Sequence, residues 1–216
     1  MLVGEPADSR RLTGATSDCS LTHMTTATTT RSSADVRRAA VVQAAITTFA
    51  RAGYWATPVT EVATAAGISP AYVFRLFDGK LALFTAALDA CHDQIVAALD
   101  EAADTAPDDA QRADQLLDRL GNAYAQLIAD RDLLMLQVHA LSAADVPEVA
   151  AAVHRGYQRV VTLVQDRTGA PPEAVQQFIA YGQLCHLIVA AGLQPVPAPW
   201  ARALTQGMAH PKAPEA

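Results

Sequence analysis

The side chains best suited to bond-making chemistry, cysteine and histidine, are scattered through this chain without a catalytic or metal-binding pattern. Cys19, Cys91 and Cys185 lie far apart and form no CxxC pair, so neither a zinc site nor a disulfide framework is indicated. The sequence contains no nucleophile elbow, no phosphate loop and no supported pair of carboxylates. This pattern disfavours an enzyme and predicts no metal and no cofactor.

The segment from Thr57 to Lys80 indicates binding through hydrogen bonds rather than a chemical reaction. This segment reads TPVTEVATAAGISPAYVFRLFDGK and has the signals of two short helices joined by a tight turn. Thr57 and Ser69 are each followed by proline, which is typical of a helix cap and the first helical position. Gly67 lies between them, where a left-handed residue can close the first helix. The spacing predicts a helix-turn-helix, whose second helix leaves the turn at a steep angle.

The segment from about Arg37 to Leu83 resembles the DNA-binding domain of the TetR family of transcriptional regulators. The matching elements, at the family's spacing, are an Ala-Ala pair followed by Phe49, then Gly53, the Thr57 to Val59 start, the Ala-Gly-Ile-Ser turn, Phe77 and Lys80. The match covers about a quarter of the chain. The resemblance implies a transcriptional repressor that binds a pseudo-palindromic operator as a homodimer and is released by a small organic effector.

The resemblance assigns DNA-contacting roles to individual side chains. It implies that Pro70, Ala71 and Tyr72 face the bases. It also implies that Thr60 reaches a base edge and that Lys80 holds a backbone phosphate. The full predicted DNA-binding set is Arg37, Arg38, Thr57, Thr60, Ser69, Pro70, Ala71, Tyr72, Phe74, Arg75 and Lys80.

Two residues depart from the family pattern. Phe74 stands where the family usually has tyrosine, and Leu76 replaces a commonly aromatic or histidine position. Pro70 and Ala71 carry no side-chain donors, so they can read only DNA shape and thymine methyl groups. The polar side chains on which specificity is then expected to depend are Thr60, Tyr72 and Arg75.

The distribution of charge reconciles an acidic chain with a DNA partner. The net charge is −6, but residues 31–80 contain six basic and three acidic residues, whereas the chain after residue 80 contains eight basic and sixteen acidic residues. A locally basic region can concentrate positive potential on one face. No apolar run has the length of a membrane span, and Glu5 and Asp8 lie where a signal peptide would be basic and then apolar, so we expect a cytoplasmic protein.

The remaining pattern is helical and predicts an all-α protein with two domains after a tail. Residues 1–32, rich in Thr, Ser and Ala, are expected to be disordered, and Met24 is a candidate translation start. Residues 33–79 form the predicted helix-turn-helix domain, with a first helix from Ser33 to Ala52. Residues 80–210 form the predicted effector-binding and dimerisation domain. Its first helix is expected to be capped by Asp78 and its last to span Trp200 to Met208.

The second domain is expected to hold the effector and the dimer contact. The candidate effector-binding residues are the polar or aromatic side chains within apolar helical stretches: Tyr124, Met135, His139, His154, Tyr157, Phe178, Tyr181 and His186. The helix predicted at 172–193 is apolar over more than one stripe, so a partner is expected on its second face. The predicted dimer contacts are Phe178, Ala180, Gly182, Leu184, Leu187 and Ala191.

Three alternatives stay open on the sequence. A sequence-independent DNA-architectural protein would be expected to be more basic than this chain. A regulator that has lost its ligand response has the same sequence signals. An enzyme would need turnover to be shown.

Overall fold

A computed structural model describes residues 33–106 and 112–207 of the chain. In these two ranges the chain folds into nine helices and no strand, which confirms the all-α prediction. The helices are α1 (Ser33–Ala56), α2 (Val59–Ala65), α3 (Pro70–Leu76), α4 (Gly79–Asp104), α5 (Ala113–Leu127), α6 (Arg131–Ser142), α7 (Pro147–Thr168), α8 (Pro172–Ala190) and α9 (Pro199–Thr205). The predicted tail, Met24, and the predicted end of the last helix at Met208 lie outside the described residues.

The first three helices, which we call the head, pack around aromatic and β-branched side chains. Phe49 of α1 is fully buried and meets Phe84 of α4 edge-on, with ring centroids 4.9 Å apart. Val62 of α2 and Val73 of α3 are buried in the same cluster. Because edge-to-face aromatic pairs add to the stability of a core, this contact fixes the start of α4 on the head.

Helix α1 extends beyond its predicted end at Ala52 and contains one non-helical residue, Gly53. Gly53 has φ 73° and ψ −177°, a backbone conformation that is essentially restricted to glycine. The N–H of Thr57 donates to the carbonyl of Gly53 at 3.3 Å, so hydrogen bonding resumes after the kink. A glycine inside a helical pattern is compatible with a helix end or with a kink, and this chain forms a kink.

The predicted turn between α2 and α3 is confirmed. Gly67 has φ 67°, its N–H donates to the carbonyl of Thr64 at 3.1 Å, and the N–H of Ile68 donates to the carbonyl of Ala63 at 3.0 Å. These two bonds form the helix-ending motif that requires a left-handed residue. Ser69 then caps α3, because its side chain accepts a hydrogen bond from the N–H of Tyr72 at 3.2 Å.

The other two predicted side-chain caps do not form. Helix α2 begins at Val59 with Pro58 at the cap position, and no side chain bonds to its start. The Thr57 side chain is fully buried instead, and its hydroxyl oxygen has no hydrogen-bond partner. Asp78 occupies the predicted cap position of α4 but makes no capping hydrogen bond. A side-chain cap is predicted from neighbouring residues alone. In the folded protein the Thr57 side chain is buried in the head and does not cap α2.

Helix α4 is the central helix of the remaining bundle, which we call the body. Its residues Leu83, Leu88 and Ile95 are buried against the neighbouring helices. Among the described helices, α4 alone has the length and hydropathy of a membrane span, a property that core helices of soluble proteins share. With that apolar side packed in the core, α4 is not a membrane span.

Head and body share one continuous core. The largest cluster of buried side chains includes Val41 of α1, Leu136 of α6, Val160 of α7 and Val175 of α8. The division of the chain after residue 79 therefore stays a prediction. Helix α8 ends at Ala190, three residues before its predicted end, and the left-handed Gly192 follows.

Candidate functional site

The exposed face of α3 is the first candidate site. Pro70, Ala71, Phe74 and Arg75 are exposed, while Val73 is buried against the head. These exposed positions are spaced as i, i+1, i+4 and i+5, so they form one side of the helix. Only one of the four side chains carries a hydrogen-bond donor, and that is the guanidinium of Arg75.

Tyr72 lies at the border of this face and is only half exposed. The guanidinium carbon of Arg75 lies 5.6 Å from the centroid of the Tyr72 ring, within the range of a cation–π contact. The predicted contact between Tyr72 and a base therefore stays a prediction. The Tyr72 ring and the Arg75 guanidinium lie side by side on this part of the surface.

The predicted phosphate ligand Lys80 is held in place at the start of α4. Its Nζ donates to the carbonyl oxygen of Trp55 at 3.2 Å and lies 5.1 Å from the centroid of the Tyr54 ring. Burial lowers the pKa of Lys80. Because an ammonium group has three N–H donors and the Trp55 carbonyl uses one, two donors are left for a phosphate.

Basic side chains of α1 lie near the end of α3. The guanidinium carbon of Arg38 lies 4.5 Å from the centroid of the Phe77 ring, and Arg37 is exposed beside it. Thr60 is exposed on α2, as a base contact requires. The head therefore presents cationic groups near the C-terminal end of α3, where they could contact phosphates beside a groove.

Two residues of the head correct the sequence prediction. Thr57 was expected among the DNA contacts, but its side chain is fully buried and does not reach the surface. Trp55 was not expected, yet 63% of it is exposed beside Lys80. The exposure of Trp55 gives no sequence signal, because it depends on how the helices of the head pack.

A second candidate site is a small cavity inside the body. Its volume is about 30 Å³, which holds one or two waters. The lining residues that were predicted are Tyr124, Tyr157 and Phe178. The polar lining residues that the sequence prediction missed are His92, Gln137 and Gln183. Of these, His92 had a usable signal, since with Leu88, Ile95 and Leu99 it completes a helical stripe of otherwise apolar residues.

A chain of hydrogen bonds runs along one wall of the cavity. The Tyr124 hydroxyl donates to Oε1 of Gln137 at 3.3 Å, and Nε2 of Gln137 donates to the carbonyl of Leu133 at 3.1 Å. Nε2 of His186 lies 2.5 Å from the same hydroxyl, whose single proton is already used. The network therefore assigns the imidazole proton to Nε2 and leaves Nδ1, buried without a partner, as an unprotonated acceptor.

The opposite wall is also polar but uncharged. Nδ1 of His92 donates to the carbonyl of Leu88 at 2.9 Å, and Nε2 of Gln183 donates to the Tyr157 hydroxyl at 2.8 Å. Burial lowers the pKa of His92, and it lowers the pKa of His186 to about 4. Both imidazoles are therefore neutral at pH 7. Among the described residues, no Asp, Glu, Lys or Arg lines the cavity.

Five of the predicted effector residues do not line the cavity, and one of these, His186, contacts the hydroxyl of the lining residue Tyr124. His154 is exposed on α7, and His139 packs against Gly53 of the head. Met135 packs against a small separate cluster that contains Leu134. Tyr181 is half exposed, accepts a hydrogen bond from Gln177 at 3.0 Å, and lines an open groove of about 880 Å³ between α5, α8 and α9. Polarity within an apolar helix does not specify which side of the helix faces the cavity.

The predicted dimer residues divide between two sides of α8. Ala180, Leu187 and Ala191 are exposed, and Leu184 is half-buried. Phe178 and Gly182 face α5 of the same chain, where a Cβ atom on Gly182 would lie 3.5 Å from Cε1 of Tyr124. These two residues contact a helix of the same chain, and their predicted role in a dimer stays a prediction.

The cysteines and acidic residues offer no reactive site in the described part of the chain. Burial raises the pKa of Cys91 to about 12 and also raises the pKa of Cys185, so neither thiol is a nucleophile at neutral pH. Across residues 33–106 and 112–207, no group of three or more His, Cys, Asp and Glu side chains could hold a metal ion.

The fold and the head define a helix-turn-helix DNA-binding protein with a helical second region. Residues 41–87 match the family model described as bacterial regulatory proteins, tetR family. No protein of curated function matches the sequence. Residues 41–87 therefore carry a DNA-binding domain of the TetR family of transcriptional regulators.

Solved structures share the fold at low sequence identity. A tetR-family transcriptional regulator from Streptomyces coelicolor is 21% identical with a TM-score of 0.52, over 78% of this chain and 77% of that one. The transcriptional regulator FadR from Bacillus subtilis, in complex with stearoyl-CoA, is 13% identical with a TM-score of 0.62, over 77% and 94% of the two chains. The multidrug binding protein EbrR, complexed with imidazole, is 19% identical with a TM-score of 0.57, over 82% and 93%.

Proposed function

We propose that this protein is a cytoplasmic repressor that binds a pseudo-palindromic operator as a homodimer and is released from it by a small uncharged organic effector. The observation that carries the proposal is the position of α6 between the cavity and the head. Gln137 lines the cavity, and His139, two residues along the same helix, packs against Gly53 of α1. Residues two apart on a helix point in nearly opposite directions, so α6 contacts the two sites on opposite sides.

This arrangement supports a direct route from effector to DNA. An effector in this cavity would contact α4 and α6 directly, because His92 and Gln137 are among its lining residues. Helix α4 carries Lys80 at its start, and α6 supports the kink of α1. Release requires the effector to bind the DNA-incompetent state more tightly; a hundredfold loss of operator affinity corresponds to about 2.7 kcal/mol of coupling.

The homodimer is supported by the outer face of α8. About half of the Tyr181 and Leu187 side chains is exposed, Ala180 is exposed on the same helix, and Ala191 is exposed directly after its end. Large apolar side chains grouped on a surface are typical of a protein interface. A two-fold dimer would present two α3 helices to DNA, so half-sites about one helical turn apart, or a multiple of it, are expected.

The chemistry of the cavity supports an uncharged effector. Its walls offer hydroxyl, amide and imidazole groups beside apolar side chains, and no ionic partner for a charged group. An ion transferred into such a site without a partner would lose several kcal/mol of hydration energy. Two structural neighbours hold small molecules, which supports ligand binding by this fold in general.

The volume of the cavity favours a second candidate, a regulator of the same family without ligand response. A space of about 30 Å³ is far below the roughly 300–1,000 Å³ of typical ligand pockets. An effector that binds in this cavity must therefore open the body, whereas a regulator without an effector needs no such change.

The experiment that separates the two candidates is a screen with matched compounds. Pairs of aromatic alcohols and the corresponding carboxylates are tested for a rise in Tm, and active compounds are then tested for release of selected operator DNA by fluorescence anisotropy. We expect the alcohols to act and the carboxylates to fail. Gln183→Leu should abolish the response, whereas Gln177→Leu, a surface position on the same helix, should keep it; both should bind operator like the wild type. If no compound raises Tm or releases DNA, the second candidate is correct.

A further inference from the structure

We propose that Phe74 is a specificity-determining residue of the DNA interface and that it contacts the C5-methyl group of thymine in the major groove. The inference rests on the proposed function, because it assigns a role within operator binding. It also differs from the expectation that specificity depends on Thr60, Tyr72 and Arg75.

The position of Phe74 on α3 is the first argument. Phe74 lies on the exposed side of the helix, one turn after Pro70 and Ala71 and next to Arg75, and 55% of it is exposed. The opposite side of α3 is fixed to the head by buried Val73. A rigid helix therefore carries a large apolar ring on the surface that faces DNA.

The chemistry of the ring is the second argument. A phenyl group has no hydrogen-bond donor or acceptor, so it cannot pair with the polar edges of the bases. The major groove offers one apolar group on the base edges, and that is the methyl group of thymine. Contact with this methyl removes apolar area of both partners from water, which gives a sequence-dependent gain in affinity.

The surroundings of Phe74 are the third argument. The neighbouring side chains Pro70 and Ala71 also lack donors, so the centre of the exposed face is apolar. The polar candidates lie to the side: Tyr72 is half-buried, and the Arg75 guanidinium lies against its ring. The cationic side chains of Lys80 and Arg38 lie near the C-terminal end of α3, so phosphate contacts there would hold the apolar centre against the bases.

The test compares thymine with uracil, which lacks only the methyl group. The wild-type protein first selects a consensus from a pool of random duplexes that contain thymine. Its Kd is then measured for the consensus duplex and for duplexes in which uracil replaces thymine, one position at a time. One position in each half-site should weaken binding roughly fourfold, and both together roughly fifteenfold, as expected when one buried methyl is removed from each half-site.

Variants assign the effect to the residue. Phe74→Ala should bind the thymine and uracil duplexes equally, and Phe74→Leu should keep part of the preference. Trp200→Ala, a half-exposed aromatic of α9, should keep the wild-type ratio. Far-ultraviolet circular dichroism and Tm should match the wild type, because the Phe74 side chain is exposed.

Each contrary outcome has its own meaning. A wild-type protein that selects a consensus but binds both duplexes equally overturns the inference and leaves the proposed function intact. A Phe74→Ala variant with the wild-type preference overturns the assignment to Phe74. If no sequence is enriched from the thymine pool, operator binding itself fails and the inference fails with it.

Discussion

The backbone of Gly53 in the head lies directly against the imidazole of His139 in the body. A Cβ atom added to Gly53 would lie 2.8 Å from Nδ1 of His139, closer than real Cβ atoms approach other groups. Gly53 also has a positive φ of 73°, and Nε2 of His139 is buried without a hydrogen-bond partner. Glycine is required here both for the kink of α1 and for the contact between the two parts of the protein.

Gly53→Ala is therefore expected to lower the free energy of unfolding by about 4 kcal/mol. Roughly 1 to 3 kcal/mol would come from backbone strain and a similar amount from the clash with His139. Urea unfolding measures the change. Gly67→Ala is the control, because Gly67 also has positive φ but no atom within 4 Å of its Cβ position; it should lose only about 1 to 2 kcal/mol.

The double variant separates the two contributions. His139→Ala in the Gly53→Ala background should recover the part due to the clash and leave the part due to strain. Equal reductions in stability for Gly53→Ala and Gly67→Ala would show that the contact with His139 adds nothing.

Lys80→Met should weaken binding to all DNA sequences alike. The change keeps the stem that packs near Tyr54 and removes the charge that is fixed beside Trp55. In a plot of log K against log salt concentration, the slope should become shallower by roughly 0.9 for each phosphate that the variant no longer neutralises. Arg112→Met removes an exposed charge of the body and should leave the slope unchanged. An unaltered slope for Lys80→Met would remove Lys80 from the interface.

Leu187→Glu should convert a dimer into a monomer in sedimentation velocity. Leu187 is 51% exposed on the outer face of α8, and a charge buried there would cost several kcal/mol in an interface. Leu141→Glu is the matched control, since Leu141 is 45% exposed but lies on α6. A Leu187→Glu variant that remains dimeric at micromolar concentration would place the contact elsewhere.

The free energy of unfolding should fall as the pH falls from about 6.5 to about 4. In the unfolded chain His186 binds a proton near pH 6.5, whereas burial lowers its pKa in the folded protein to about 4. Between these values the unfolded state binds more protons, so acid favours unfolding by up to about 3 kcal/mol from this residue. His92, whose pKa burial also lowers, acts in the same direction.

Urea unfolding at several pH values, with His186→Gln beside the wild type, isolates the contribution of His186. The variant should show a shallower pH dependence between pH 6.5 and 4. Parallel curves for the two proteins would assign the pH dependence to other groups.

The sequence predicted the parts of the fold that depend on neighbouring residues. Gly67 ends α2 with a left-handed backbone and Ser69 caps α3, as the sequence predicted. Both features depend only on residues a few positions away in the chain. Thr57 carried the same signal as Ser69 but became buried, because the packing of the head depends on residues distant in sequence.

The cavity could be predicted only in part for the same reason. Tyr124, Tyr157 and Phe178 were recognisable as unusual residues in apolar helices, and so was His139, which points to the head instead. The orientation of each helix about its axis is set by contacts between helices, and a single sequence does not record them. Gly182, expected at a dimer contact, faces Tyr124 for this reason.

The most direct test of the account is the ratio of two dissociation constants at one fixed salt concentration. Fluorescence anisotropy would measure Kd for the selected consensus duplex and for a scrambled duplex of the same composition. A sequence-reading α3 face predicts a ratio of about a thousand or more in favour of the consensus. A ratio near one would contradict the account and identify a protein that binds DNA without reading its sequence.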